Sequence, residues 1–331
     1  MRIVAIASLA IVATIAPWFV GVSHAIPTPG ANVSTAHNRP DIPGITIEQE
    51  ISAQRDETYT ALARYKSQPG FLKCTTKQSR FERERDVLSG IHARLSVAKD
   101  TLSNTSGMIV GLLEVFAPSN GYYCLLLERL DGITLGEYSE ELTAEQCDAI
   151  LPGIFKQLID ALKLMHSLGY VHGDIKPQNV IVIEDEPSGT PRAVLIDFDG
   201  AQYVGNQLGL SVSGTYGYRP PEDYLGELSD QYKRDSWMLG ATLYATLVNM
   251  PPYGFICSPT QEMYKQMSKE SHAAEMVAIA NSGANNIYPI GSSKNTHLLA
   301  LMHTLMTCKI KHRPTVSELD PLLLHNLVNN G

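Results

Sequence analysis

The residue types best suited to chemistry stand beside two short apolar stretches in the second half of the chain. Asp174, Lys176 and Asn179 supply a carboxylate, an ammonium group and an amide from one short segment, and a second carboxylate, Asp197, follows further on. A carboxylate can accept a proton, and carboxylate and amide oxygens bind divalent cations. Because a lone loop aspartate is usually a cap or turn residue, only the combination points to a reaction centre.

These residues belong to motifs whose types and order resemble those of eukaryotic protein kinases. Residues 172–179 resemble the catalytic loop, H-R-D-x-x-x-x-N, and Asp197-Phe198-Asp199 resembles D-F-G. Three later matches follow in family order: residues 214–222 resemble the segment that ends in A-P-E, residues 235–240 resemble the buried helix that anchors the catalytic loop, and Arg313 matches the arginine that pairs with the A-P-E glutamate.

The resemblance covers residues 45 to about 325 and implies an α+β fold with the two lobes of a protein kinase. A small lobe of antiparallel sheet with one main helix is expected at about 45–130. A larger, mostly helical lobe is expected at about 131–325, followed by a short tail at 326–331.

The resemblance also implies roles for the residues of the larger lobe. Asp174 accepts the proton of a substrate hydroxyl, Lys176 places a charge at the γ-phosphate, and Asn179 and Asp197 hold Mg²⁺ or Mn²⁺. Thr215 fits the position that steadies the aspartate in serine/threonine kinases. The implied activity is transfer of the ATP γ-phosphate to Ser or Thr hydroxyls of a protein substrate.

In the small lobe, Lys73 matches the strand lysine that pairs with the α- and β-phosphates, and Glu84 matches its helix partner. Lys77 is the competing candidate for that lysine. The positions that line the adenine site, namely the gatekeeper and the hinge, match Leu127, Glu128 and Leu130.

Three features depart from the family pattern. Residues 52–57, where a glycine-rich phosphate loop is expected, contain no glycine, and their acidic residues would repel phosphates if turned inward. Gly173 replaces the arginine that reads a phosphate on the activation segment, so switching by that phosphate is not expected, and Asp199 replaces the glycine of D-F-G. Two alternatives to an active protein kinase follow: a pseudokinase that acts as a binding or scaffold protein, and a small-molecule kinase on the same fold.

Hydrophobic periodicity predicts the elements that position these residues. Ser79-Arg80-Phe81-Glu82 has capping-box spacing, and the helix that it begins carries Glu84 on its apolar face. Helices are also predicted at 151–165, ending by Gly169, and at 237–248. Predicted strands lie at residues 45–51, 58–65, 70–74, 108–116, 122–127, 180–183 and 193–196.

The five cysteines are too few and too scattered for a disulfide framework or a clustered zinc site. In the family's register Phe71 faces Leu127 across two antiparallel strands, which places Cys74 opposite Cys124. A disulfide between these two cysteines and a pair of buried thiols are equally compatible with that register.

Overall composition is that of a globular protein, with 44% hydrophobic residues among 331. The net charge of −8 disfavours a nucleic-acid-binding protein, because attraction to phosphate backbones needs a basic surface.

The N-terminal segment predicts entry into a secretory pathway. Arg2 precedes an apolar run at residues 3–22, and Ser23-His24-Ala25 offers small residues at a cleavage site, so residues 1–25 are interpreted as a signal peptide. The alternative is a membrane anchor of about twenty apolar residues. Residues 26–44, rich in Pro and Gly, are typical of a flexible linker. No later apolar run reaches membrane length, so the cleaved chain is expected to be secreted or to remain in the secretory lumen without stable membrane association.

Expression in a eukaryotic secretory host should yield a protein in the medium whose first residue is Ile26, since cleavage is expected after Ala25. Intact-mass analysis of the medium and of the membrane fraction measures this. Retention of residues 1–25 in the membrane fraction would show that the segment is an anchor.

Overall fold

The computed structural model describes residues 39–55, 57–97, 107–184, 190–210, 213–258 and 263–329. The predicted signal peptide and most of the predicted linker lie outside these residues. The chain divides into a smaller unit, comprising residues up to Phe81 together with Leu112–Arg129, and a larger unit, comprising Glu82–Gly111 and the chain from Leu130 onward. The smaller unit is mainly antiparallel sheet and the larger is mostly helical, which confirms the predicted α+β class.

The smaller unit is built on one five-stranded antiparallel sheet with the spatial order β1-β2-β3-β5-β4. One face of the sheet is apolar: Ala61, Ala63 and Leu72 are almost fully buried there, as the period-two alternation of side chains requires. The strands are β1 (Ile45–Arg55), β2 (Thr58–Tyr65), β3 (Gln68–Thr75), β4 (Leu112–Val115) and β5 (Tyr123–Glu128).

Strands β3 and β5 pair in the predicted register. Phe71 faces Leu127, and Cys74 faces Cys124 with 4.1 Å between their Cα atoms. The two cysteines form a disulfide, which decides between the two alternatives left open by the sequence. Both are almost completely buried, whereas Lys73, one residue before Cys74, lies on the other face of the sheet and is half-buried.

Helix α1 (Gln78–Val97) begins two residues earlier than predicted, since an N-cap at Ser79 would make Arg80 its first residue. Ser79 lies inside its first turn, so the predicted capping box from Ser79 to Glu82 is wrong. The physical reason is the preceding turn: the Thr75 hydroxyl accepts the Lys77 N–H at 3.1 Å, and the Lys77 carbonyl then accepts the first helical N–H groups. The predicted interior face is confirmed, because all four of its members are buried: Phe81, Glu84, Leu88 and Ile91.

The predicted strand at 108–116 is interrupted. Residues 108–110 belong to the larger unit, where backbone groups of Met108 and Val110 bond to Leu195, and only Leu112–Val115 pairs with β5 in the smaller unit. Residues 108–110 and Leu112–Val115 therefore pair with different strands instead of forming one long strand.

Two long helices form the centre of the larger unit. Helix α3 (Ala144–Ser167) begins with a capping box from Thr143 and is followed by Gly169 at φ +85°. Helix α4 (Gln231–Val248) begins at the N-cap Asp230 and is buried nearly all round, as expected from its sequence.

The remaining elements of the larger unit are short. Strands β6, β8 and β9 form one sheet, β7 pairs with β10, and β11 pairs with β12. No helix within the described residues combines the length and apolar composition that a membrane crossing requires. The bounds are β6 (Ile133–Thr134), β7 (Tyr170–Val171), β8 (Val180–Ile183), β9 (Arg192–Leu195), β10 (Gln202–Tyr203), β11 (Phe255–Ser258), β12 (Met263–Gln266), α2 (Leu135–Glu140), α5 (Lys269–Ser282), α6 (Thr296–Leu305) and α7 (Pro321–Asn329).

Replacing both bridged cysteines, as Cys74→Ala/Cys124→Ala, should lower the free energy of unfolding by about 4 kcal/mol, the chain entropy released by opening a loop of roughly 50 residues. Denaturant unfolding under non-reducing conditions measures the difference. Cys147→Ala is the matched control, since Cys147 is a buried free thiol and its loss leaves the bridge intact. A double variant that unfolds at the wild-type denaturant concentration would contradict the prediction.

Candidate active site

The segment that carries Asp174 is anchored on a buried carboxylate of helix α4. Asp235 accepts the backbone N–H groups of His172 and Gly173, each at 2.9 Å, and the His166 Nε2–H at 3.0 Å. Burial alone would raise the pKa of Asp235, but the hydrogen bond and charge of His166, together with the hydrogen bond from the Gly173 N–H, lower it below its ordinary value. Asp235 is therefore ionised at neutral pH and fixes the backbone directly before Asp174.

His172 ties this loop to the chain before Asp197. Its Nδ1 accepts the Asp174 N–H at 3.3 Å, so the proton lies on Nε2, which donates to the Ile196 carbonyl at 3.0 Å. The ring also packs on Phe198, with centroids 4.9 Å apart. No separate role was predicted for His172, although its place at the start of the catalytic-loop motif was a usable signal.

The side chain of Asp174 lies in a small polar cluster. Thr215 Oγ1 donates to Asp174 Oδ1 at 2.7 Å, and Lys176 Nζ lies 2.9 Å from Oδ2 and 2.8 Å from Thr215 Oγ1. Asn179 Nδ2 donates to the Asp174 carbonyl at 2.8 Å. The structure thus brings together the predicted residues Asp174, Lys176 and Asn179, with Thr215 in the predicted supporting position.

This cluster can accept a proton. Each carboxylate oxygen of Asp174 has two lone pairs, so the contacts from Thr215 and Lys176 leave acceptor capacity on the carboxylate. The Asp174 side chain is 15% exposed, which leaves it open to an incoming hydroxyl. Burial, and secondarily the charge of Asp174, raise the pKa of nearby Tyr218, which keeps that phenol protonated at neutral pH.

Asp197 is held in a backbone conformation that few residues adopt. Its φ is +64°, in the left-handed region that Asp and Asn tolerate better than most residues. Helix α1 holds the two residues that follow: Glu84 Oε1 accepts the Phe198 N–H at 3.2 Å, and Arg83 Nε donates to the Asp199 carbonyl at 2.9 Å. Asp199 itself has no positive φ, so the missing glycine of D-F-G causes no backbone strain here.

Asn179 and Asp197 carry the chemistry of a magnesium site. Asn179 is buried and its amide nitrogen is engaged by Asp174, so its amide oxygen is the atom suited to a cation. Mg²⁺ is commonly bound by one or two protein oxygens together with water and substrate phosphates, so two such residues fit it. Among the described residues, no group of three or more His, Cys, Asp or Glu side chains forms a separate metal site.

The predicted nucleotide-binding residues of the smaller unit lie on β3 and β5. Lys73 is half-buried and pairs with Leu125, whereas Lys77 follows the end of β3, is exposed, and forms an ion pair with Glu57 at 3.0 Å. Leu127 is buried and Glu128 ends β5. Leu130 is buried as well, at the start of the larger unit's second segment.

Residues 52–55 form the end of β1, and Glu57 directly precedes β2. These strands pair as far as Arg55 and Thr58, and the side chains of residues 52–56 lie outside the described part of the chain. The expected weakness of a glycine-free phosphate loop therefore stays a prediction.

The predicted pairing of Arg313 is present. Its guanidinium binds both carboxylate oxygens of Glu222, at 2.5 and 2.9 Å, and the pair is buried. Arg313 also lies 4.8 Å from the ring centroid of Trp237 on α4. This pair fixes the end of the segment that carries Thr215 to the helical core.

The family model described as protein kinase domain matches residues 57–323. The chain belongs to the protein kinase family. Sperm motility kinase 2B of Mus musculus is 30% identical over 225 residues, which cover 67% of this chain and 40% of that protein. Serine/threonine-protein kinase D of Synechocystis sp. is 29% identical over 210 residues, covering 61% and 36% respectively. This kinase domain spans about two fifths of the length of the curated relatives it matches.

Asp235→Asn should lower the free energy of unfolding by about 3 kcal/mol at pH 7, because an amide replaces a buried charge and turns an NH₂ group toward backbone donors. The folded-state pKa of Asp235 is lowered, so the carboxylate stabilises the fold above its unfolded pKa, and this contribution is lost as the pH falls through the folded pKa. The difference between wild type and variant should therefore narrow toward acid pH in denaturant titrations.

Asp230→Asn is the matched control on the same helix. Asn is as good an N-cap as Asp, so this variant should lose less than about 0.5 kcal/mol. A gap between wild type and Asp235→Asn that stays constant from pH 7 to acid would contradict the assigned ionisation.

Proposed function

We propose that this chain is an active serine/threonine protein kinase of the secretory pathway that transfers the ATP γ-phosphate to protein hydroxyls. The observation that carries the proposal is the Asp174 carboxylate, held at once by the Thr215 hydroxyl and the Lys176 ammonium group. Such a carboxylate is fixed in position and remains able to accept a proton.

In this mechanism the substrate hydroxyl donates its proton to Asp174 as its oxygen attacks the γ-phosphorus, and the bond from that phosphorus to the β,γ-bridging oxygen breaks so that ADP leaves. Thr215 holds Oδ1 and thereby sets the direction of the carboxylate toward the incoming hydroxyl. Lys176, at 2.9 Å from Oδ2, places a positive charge where negative charge develops on the transferred group.

Asn179 and Asp197 are the residues that would hold Mg²⁺ or Mn²⁺, which would offset the negative charge of the phosphate oxygens. Lys73 is proposed to contact the α- and β-phosphates, with Glu84 as its partner. Leu127, Glu128 and Leu130 are proposed to contact adenine, the last two through backbone groups.

The position of Thr215 favours serine/threonine acceptors over the two alternatives. A pseudokinase has no chemical need to orient a carboxylate with both a hydroxyl and an ammonium group, and these contacts are present here. The name of the Synechocystis relative supports the same acceptor class. A small-molecule kinase shares the reaction centre and differs in its acceptor, so acceptor labelling separates it.

The disulfide supports the proposed compartment. A buried Cys74–Cys124 bridge forms and persists in oxidising surroundings such as the secretory lumen or the extracellular space. It agrees with the predicted signal peptide at residues 1–25, and both lines of support are independent of the kinase motifs.

Asp174→Asn should reduce phosphate transfer to a Ser/Thr peptide library at least roughly 100-fold, since it removes the general base, while leaving Mg-ATP binding in place. Asp197→Ala should abolish both transfer and the rise in melting temperature produced by Mg-ATP, because that rise follows from ligand binding to the native state. Phosphate incorporation and thermal melting measure the two effects.

Lys73→Met and Lys77→Met form a matched pair, because only Lys73 lies on β3 and Lys77 is held at the surface by Glu57. Lys73→Met should reduce phosphate transfer far more than Lys77→Met. The reverse order of effects would assign the phosphate-binding role to Lys77 instead. An unmodified protein that neither transfers phosphate nor melts higher with Mg-ATP would establish the pseudokinase alternative. Turnover only with members of a metabolite panel would establish the small-molecule kinase.

A further inference from the structure

The space beside the catalytic aspartate is closed to any side chain at position 173. Gly173 has φ +78°, and a Cβ atom there would lie 2.6 Å from the Gly200 carbonyl oxygen and 2.8 Å from Ser213 Oγ. Cβ atoms do not approach other atoms that closely, so Gly200 and Ser213 occupy the volume that an arginine side chain at position 173 would need. A residue that links this loop to the activation segment must therefore come from elsewhere.

Arg234 reaches the same place from helix α4. Its Nη1 donates to the Gly173 carbonyl at 3.0 Å, its Nη2 donates to the Ser213 carbonyl, and its Nε donates to Asp223 at 3.0 Å. The residue is only 2% exposed. One buried guanidinium thus joins the catalytic loop, the activation segment and the turn after Pro221.

The charge of this guanidinium is matched inside the protein. Asp223 lies 2.9 Å from Arg234 Nη2, also binds Arg219 at 3.0 Å, and its side chain is fully buried. A buried arginine without a counter-charge would be strongly destabilising, so Arg234 can occupy this buried position only because Asp223 is its partner. Because Asp223 already fills the arginine's fork, no added phosphate is needed to neutralise it.

Each carbonyl that Arg234 binds belongs to a residue close in sequence to a member of the Asp174 cluster. Gly173 directly precedes Asp174, and Ser213 stands two residues before Thr215, whose hydroxyl contacts Asp174 at 2.7 Å. Ser213 Oγ adds contacts to the carbonyls of Gly173, at 3.1 Å, and Gly200, at 3.0 Å. Displacing either carbonyl would shift one of the two segments that meet at the carboxylate.

We infer that Arg234 is a positioning residue that docks the activation segment against the catalytic loop through Gly173 and Ser213, with Asp223 as its permanent counter-charge. The inference rests on the proposed kinase function for its kinetic consequence. That consequence is transfer activity that does not depend on phosphorylation of the activation segment.

Arg234→Lys tests the inference in the full mature chain. Lysine keeps a positive charge for Asp223, but its single nitrogen cannot span three acceptors in different directions. The expected result is a fall in kcat of roughly 10- to 100-fold on the Ser/Thr peptide library, because small displacements of a reacting group have effects of that size, with KM for ATP changed less than about threefold. Should this variant not fold, Arg234→Gln/Asp223→Asn removes both buried charges together and should show the same loss.

Lys309→Met is the matched control, since the Lys309 ammonium group also joins two backbone carbonyls of the larger unit, those of Ala280 and Asn281, but contacts neither the catalytic loop nor the activation segment. It should lower the melting temperature while keeping kcat within about threefold of wild type. An equal fall in kcat for the two variants would overturn the inference, because any loosening of the larger unit would then suffice.

A second measurement is independent of activity. In Arg234→Lys, hydrogen exchange of amides in residues 172–174 and 213–218 should quicken at least about tenfold relative to wild type, and in Lys309→Met it should not. Unchanged exchange there would overturn the inference even if the wild-type chain proved unable to transfer phosphate, which would count separately against the proposed function.

Phosphatase treatment provides the third arm. Wild-type protein stripped of phosphate, with its state verified by intact mass, should keep its initial rate within about twofold. A rate that collapses on treatment and returns when the activation segment is phosphorylated again would overturn the inference.

Discussion

The geometry of the reaction centre depends on one buried carboxylate, that of Asp235. Taking an ionised carboxylate out of water is unfavourable by several kcal/mol unless other donors replace the water. Two of the replacing donors are the backbone N–H groups of His172 and Gly173, so satisfying the charge also fixes the loop. The direction of the Asp174 side chain is therefore set by the need to satisfy the buried charge of Asp235 on helix α4, and not by the packing of Asp174 itself.

Helix α4 constrains Gly173 on both sides, through its backbone N–H and through its carbonyl. Asp235 accepts its N–H, and the preceding residue, Arg234, donates to its carbonyl. These contacts leave a positive φ and no room for a Cβ atom, because Gly200 and Ser213 close the remaining space. A glycine that departs from the family pattern in sequence is thus the residue that this packing requires.

The features that could be predicted are those set by periodicity or carried by the family resemblance. The alternation along β3 placed Lys73 and Cys74 on opposite faces, and the register implied by the kinase resemblance, with Phe71 opposite Leu127, brought Cys74 to Cys124. The start of α1 was predicted wrongly, because Thr75 and Lys77 complete the preceding turn and the helix begins at Gln78, two residues before the capping box at Ser79 predicts. A capping-box pattern records which side chains can cap, whereas the true start of a helix depends on the strand that delivers the chain to it.

The contacts of Arg234 show a different limit. Two of its three acceptors are backbone carbonyls, those of Gly173 and Ser213. Every residue type has a backbone carbonyl, so the sequence gives no sign that these two residues bind Arg234. Only Asp223, eleven residues before it, carries a matching charge that the sequence displays. The substitution at Asp199 has a related explanation: the need for glycine at a position depends on φ, and the positive φ falls on Asp197 instead.

The two units are consequently stabilised by different kinds of interaction. In the smaller unit an apolar sheet face and a covalent bridge hold β3 in register, and Lys73 takes its orientation from that register. In the larger unit the position of Asp174 rests on buried ionic groups, each of which is matched by a specific partner: Asp235 by His166, Asp223 by Arg234 and Glu222 by Arg313. Protonation of Asp235 would weaken its hold on the catalytic loop, and reduction would open the Cys74–Cys124 bridge while leaving the apolar sheet face in place. Acid therefore affects the position of Asp174, whereas a reductant affects the strand that carries Lys73.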